Sequence, residues 1–201
     1  MKSIAFAAGL VAACLSSNFA QAQEVHVQTS LGTFDVALDP VHAPKASANF
    51  LRYVREGHFD GTMIYRVVPG FVLQMGSYEP NGDARPTHDP IPLESGNGLL
   101  NKRGTLSMAR SDDPNSATAE FFINLTDNNS LDPTEGKTPN TTGYAVFGKV
   151  VEGMSVIDTI AAVPLNGKMG PFPDAAPAAP VIITKVTVVG DPVSPPAPAK
   201  H

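Results

Sequence analysis

The sequence predicts a mainly β protein: a closed eight-stranded antiparallel barrel capped by two α-helices. Three observations lead there. Short segments dominated by β-branched and aromatic residues, alternating between two faces, recur about eight times between Glu24 and Val189. Turn-forming residues separate them at short intervals. Only two segments, one after Pro44 and one after Gly153, space their apolar residues as helices do.

At 201 residues and 42% hydrophobic, the chain can build one full core. Its formal charge of -5 leaves no basic stripe, so nucleic acid is excluded as a partner. Residues 1–22 read as a signal peptide: Lys2, an apolar stretch from Ile4 to Leu15, then Ala20-Gln21-Ala22 as a small-x-small cleavage site. That stretch is too short for an anchor, which predicts export to the periplasm without stable membrane insertion. Cys14, the only cysteine, leaves with the leader, so the remaining chain has no thiol chemistry. A second reading stays open, because Val11-Ala12-Ala13-Cys14 resembles a bacterial lipoprotein cleavage box and would yield a form acylated at Cys14. Residues 23–190 then form the folded domain. Residues 191–201, with four prolines and no apolar pattern, are expected to be a disordered tail.

Within the domain, Glu24 to Thr29 and Thr33 to Leu38 alternate around Leu31-Gly32 as a hairpin. Pro44 suits a first helical turn, Ala46, Phe50 and Val54 recur at helical spacing, and Gly57 stops the helix. Ile64 to Val68 reads as a strand, with alternation placing Arg66 between Ile64 and Val68 on one apolar side. Pro69-Gly70 has the chemistry of a type II turn, and Phe71 to Met75 continues as the next strand. A strictly two-residue hairpin would leave Gln74 on the face opposite Arg66, so a shared site requires a bend or bulge. Tyr78 to Gly98 is a long loop with at most one short strand near Ile91. Strands follow over Gly104 to Arg110 and Glu120 to Leu125, the second putting Glu120, Phe122 and Asn124 on one face and Phe121, Ile123 and Leu125 on the other. Tyr144 to Val151 is a strand, Met154 to Ala162 a short helix, Val163 to Pro180 loose, and Val181 to Val189 the last strand.

Familiar catalytic constellations are missing. The five histidines are scattered with no H-E-x-x-H pair, and neither a G-x-S-x-G elbow nor a glycine-rich phosphate loop occurs. No metal or cofactor is implied. What remains is an apolar set with one cation and one amide: Arg66, Phe71, Gln74, Met108, Phe122 and Leu131. Two readings of Arg66 are open on pattern alone, a snorkelling edge residue or a donor aimed into a pocket. Such a pocket offers no nucleophile. It could grip an apolar ring and aim a hydrogen bond, which suits a reaction that breaks no bond, such as rotation about a prolyl amide with its barrier of roughly 18–20 kcal/mol.

The runs I-Y-R-V-V-P-G-F-V-L-Q-M-G, G-T-L-S-M-A-R, S-A-T-A-E-F-F-I-N and Y-A-V-F-G-K-V-V-E-G-M, in that order, closely resemble the cyclophilin-type peptidyl-prolyl cis-trans isomerases, above all their exported bacterial members. The resemblance spans about Glu24 to Gly190 and implies an eight-stranded barrel with two helices. It makes Arg66 the catalytic arginine and Gln74 the glutamine that steadies it. Phe71, Met108, Phe122 and Leu131 become walls of the proline pocket, Ala109 and Arg110 contact the residues preceding proline, and Val72, Glu120 and Tyr144 complete the substrate surface. The implied partners are proline-containing unfolded polypeptides, met by a monomer; a non-catalytic prolyl-binding module of the same fold is the alternative.

Departures from the family pattern carry their own expectations. Glu120 stands where glutamine is usual, and it would either pair with Arg66 or face water. Ser130 stands where many eukaryotic relatives have a tryptophan that donates to cyclosporin, so binding of the drug is expected to be weak. Tyr65 and Tyr144 each replace a histidine, and Met75 replaces a frequent glycine.

Overall fold

The computed structural model describes residues 23–134, 143–167 and 173–191. Residues 1–22, read above as a signal peptide, and all of the expected tail beyond Asp191 lie outside them. Eight strands close a barrel: β1 (Glu24–Thr29), β2 (Gly32–Leu38), β3 (Met63–Val68), β4 (Val72–Met75), β5 (Thr105–Met108), β6 (Phe121–Asn124), β7 (Val146–Glu152) and β10 (Val181–Val188). Their order around it is β1-β10-β3-β4-β6-β5-β7-β2, every neighbour antiparallel. The segment read as loose between Val163 and Pro180 contains a small separate ribbon, β8 (Leu165–Gly167) against β9 (Ala176–Pro177). Three- and two-residue strands leave no alternation to detect, which is why the pattern missed them.

The barrel interior is filled by side chains. Val25, Val27, Phe34, Val36, Ile64, Val67, Leu73, Leu106, Ile123 and Phe147 are among the buried core residues. Helix α1 (Pro44–Arg55) lays Phe50 against Phe121 edge-on at 5.1 Å and against Phe147 at 5.3 Å. Its first turn is held from a distance: the Lys45 and Ala46 N–H groups donate to the two oxygens of Glu94, at 3.1 and 2.9 Å, satisfying donors that a helix start leaves open. Helix α2 (Met154–Ala161) buries Ile157 and Ile160 in the same core. Among the described residues no helix is long and apolar enough to cross a membrane.

The β3–β4 hairpin differs from the expected one in a way that builds the site. Phe71 N–H donates to Val68 O at 2.9 Å across Pro69-Gly70, and Gly70 has φ +71°, the positive value a type II turn needs at that position. The ladder, however, resumes at Val68 opposite Val72, so three residues stand outside it and Arg66 comes directly opposite Gln74. A bulge at Tyr65 lies between the Ile64–Met75 and Arg66–Gln74 pairs. It corrects the simple alternation: Ile64 and Val67 join the core, whereas Arg66 does not share their face.

Candidate active site

Three cross-strand neighbours form a row on the outer side of the barrel wall. Arg66 on β3 faces Gln74 on β4, and Gln74 faces Phe122 on β6. Arg66 Nη1 donates to Gln74 Oε1 at 3.0 Å. Because a guanidinium only donates, the glutamine must turn its oxygen to Arg66 and its NH2 elsewhere.

Beside this row lies a second, small apolar cluster separate from the barrel core. Val72, Ala109 and Phe122 are buried in it, and half-buried Phe71, Leu131 and Tyr144 pack around them. The Tyr144 ring meets Phe122 edge-on at 5.4 Å, and the Arg110 guanidinium sits 4.9 Å above the Tyr144 ring while donating to Gly143 O at 3.2 Å. Eight of the eleven residues singled out from the sequence are thus within one row or cluster, and Arg110 joins through Tyr144. Met108 is the correction. It lies opposite Phe121 on β6 and is buried in the barrel core, so it backs the wall from inside rather than forming the apolar cluster. Met75 likewise points into the core, opposite Phe121.

Glu120 does not face water. It is largely buried, and its Oε2 accepts the Tyr65 hydroxyl at 2.6 Å. Burial pushes its pKa above the ordinary carboxyl range; hydrogen bonding from Tyr65 and Ser77 opposes that shift. Oε1 is buried without a hydrogen bond of good geometry, although Ser77 stands close enough to ease its charge. Burial, and then the neighbouring carboxylate, push the Tyr65 phenol far up, which keeps it a neutral donor. Gly76 makes the approach possible. A Cβ there would come within 2.7 Å of Ala119 O and Glu120 Cα, so only glycine lets the end of β4 pass the start of β6 this closely.

The chain's family follows from comparison with known proteins. The family model described as cyclophilin type peptidyl-prolyl cis-trans isomerase/CLD matches residues 24–188. The chain belongs to that family. Its relatives include a peptidyl-prolyl cis-trans isomerase of Streptomyces antibioticus, 45% identical over 83% of this chain and 98% of the other. Peptidyl-prolyl cis-trans isomerase B of Escherichia coli is 47% identical over 73% of this chain and 87% of the other. A cyclophilin-type isomerase of Cryptosporidium parvum, solved in the presence of the dipeptide Ala-Pro, superimposes with a TM-score of 0.70 at 25% identity, covering 84% of this chain and all of that one. This cyclophilin is therefore an enzyme of the prolyl isomerase class, and its substrates are proline-containing peptides.

Sequence reasoning missed what fixes the backbone under the cyclophilin's outer apolar cluster. Asn101, Asn124 and Asn128 are buried and bonded together: Asn128 Nδ2 donates to Asn124 Oδ1 at 2.7 Å and to Phe71 O at 2.9 Å, and Asn101 Nδ2 donates to Leu131 O at 3.1 Å. Phe71 and Leu131, both of that cluster, are thereby pinned by one amide network. Alternation puts Asn124 on the Phe122 face, but its partners come from loops whose return no spacing reveals. A hollow of about 420 Å³ lined by Leu38, Pro40, Val41, Leu99, Leu100 and Lys149 includes none of the site residues. The row of Arg66, Gln74 and Phe122, with the apolar cluster beside it, lies outside that hollow.

Proposed function

We propose that Arg66 catalyses rotation of X-Pro bonds by donating to the prolyl nitrogen while Phe71, Val72, Phe122, Leu131 and Tyr144 hold the ring, and that the clients are unfolded or newly exported chains. The observation that carries the reading is the Arg66–Gln74 hydrogen bond beside the Phe122 cluster. A planar amide has no lone pair to offer at nitrogen. Once the C–N bond is twisted, nitrogen becomes pyramidal and its lone pair accepts, so a donor fixed in place favours the transition state over either planar isomer. Gln74 supplies the fixing and leaves Arg66 its charge, because an amide accepts without neutralising. Ala109 and Arg110 meet the residues before proline; the Ala109 N–H is already engaged with Glu120 O at 2.9 Å, which leaves the carbonyl side of that segment for substrate. Glu120 acts from behind the row.

A protease-coupled peptide assay tests this. Wild type is expected to speed cis-to-trans conversion and Arg66→Ala to lose most of it; equal rates would sink the assignment. Export to the periplasm rests on the leader's composition, and intact mass of the mature protein separates release at Gln23 from acylation at Cys14. Exposed Ser130 supports weak cyclosporin binding, to be checked by calorimetry, and sedimentation tests the monomer.

A further inference from the structure

We infer that Tyr65 is a positioning residue for the isomerase reaction, its hydroxyl holding the Gln74 amide in the orientation that aims Arg66 and Glu120 serving as its acceptor. The inference rests on the reading of Arg66 given above. The bulge at Tyr65 carries it. In an unbroken strand two consecutive residues point to opposite faces, but here Tyr65 and Arg66 both turn away from the core that takes Ile64 and Val67, and both meet Gln74.

The donors then order themselves in one direction. Arg66 Nη1 donates to Gln74 Oε1, the Gln74 NH2 is left to donate to the Tyr65 oxygen, and the Tyr65 hydroxyl donates to Glu120 Oε2. Each link follows from the one before it. A cation cannot accept, so the amide has one permitted orientation; a carboxylate cannot donate, so the phenol has one too. If Tyr65 lost its acceptor, its hydroxyl could turn to Gln74 Oε1, the atom that Arg66 uses. The Tyr65 ring is clamped at 4.6 Å against Tyr78, which limits other ways to relax.

Protonation of Glu120 should break this order, since a carboxylic acid brings its own donor. The groups facing Glu120 are Tyr65 from β3 and Tyr78 and Ser77 after β4; behind Ser77 stands His58, whose Nε2 lies 3.2 Å from Ser77 Oγ. Tyr78 is pushed up by burial and then by Glu120 and stays neutral. His58 has its pKa lowered by burial and then by Arg85.

The experiment measures kcat, KM and their pH profiles for wild type, Tyr65→Phe, Glu120→Leu, the double variant and Glu120→Gln. Tyr65→Phe is expected to lower kcat about tenfold, within the hundredfold that a misplacement of about 1 Å can cost, with KM little changed. Glu120→Leu should act alike, and the double variant should be no worse than either single one. Wild-type kcat should fall toward acid, and Glu120→Gln should lack that fall; a limb that persists in Glu120→Gln belongs to His58 and counts against the inference. Tyr65→Phe turning over at the wild-type kcat, or additive losses, would overturn it while leaving Arg66's role intact. A wild type without turnover would overturn the reading of the site, and this inference with it.

Discussion

β6 presents two surfaces that obey different rules. On one side Phe121, Ile123 and Leu125 enter a core that α1 and α2 close, with Phe121 ringed by Phe50, Phe59 and Phe147. On the other, Phe122 joins only two further buried residues, and the side chains around them are half-exposed. A small barrel whose interior is full of side chains has no room for a ligand inside. The contrast teaches that an apolar patch on the outer wall can stay open because the core next to it supplies the stability. The polar groups divide the same way: Arg66, Gln74, Tyr65 and Glu120 all belong to the outer side.

The sharpest way to break the comparison is to truncate neighbouring phenylalanines. Phe121→Ala should cost about 3–5 kcal/mol of stability, the usual toll of emptying an aromatic site in a core. Turnover per folded molecule should change little, as chemical denaturation paired with the isomerase assay would show. Arg66→Ala should do the reverse. Loss of a preorganised donor to the transition state costs about 2.7–4 kcal/mol, a hundredfold to a thousandfold in kcat, with the unfolding midpoint almost unmoved. Phe122→Ala should fall between them, raising KM because burying a side chain of proline's size contributes about 1.5–3 kcal/mol. If Phe122→Ala instead unfolds the protein as Phe121→Ala does, the two faces of β6 are one core and the outer patch is not a separate surface.

Much of this division was legible in the chain. Period-two alternation placed Phe121, Ile123 and Leu125 opposite Glu120, Phe122 and Asn124, and the eight barrel strands fell within a few residues of where β-branched runs begin and end. Alternation failed at Tyr65. A bulge inserts a residue without leaving a mark in composition, so Arg66 was assigned to the face of Ile64, and the three-residue turn that puts Gln74 opposite it could not be told from a two-residue one. The resemblance puts Met108 in the pocket wall, although its register partner Phe121 is a core residue. Long-range polar partners were the other blind spot. Glu94 at the start of α1 and the three asparagines behind Phe71 and Leu131 act across gaps of tens of residues, where only the folded chain brings donor to acceptor.

The smallest effect concerns the carboxyl group buried behind the outer row. Glu120 has its pKa raised by burial, so the folded state holds its proton more tightly than the unfolded chain does. Any stabilisation from that proton is complete below the ordinary carboxyl range and is lost as pH rises through the raised value. Above that point the fold carries a buried charge only partly relieved by Tyr65 and Ser77. Glu120→Gln keeps an acceptor for the Tyr65 hydroxyl and removes the charge, so the variant should be more stable than wild type at neutral pH, and the gap should close on acidification. Denaturation midpoints of the two proteins across that range give the answer. A gap that widens toward acid would mean that the carboxylate is favoured by the fold, and that the outer row, unlike the core it leans on, is organised around a charge.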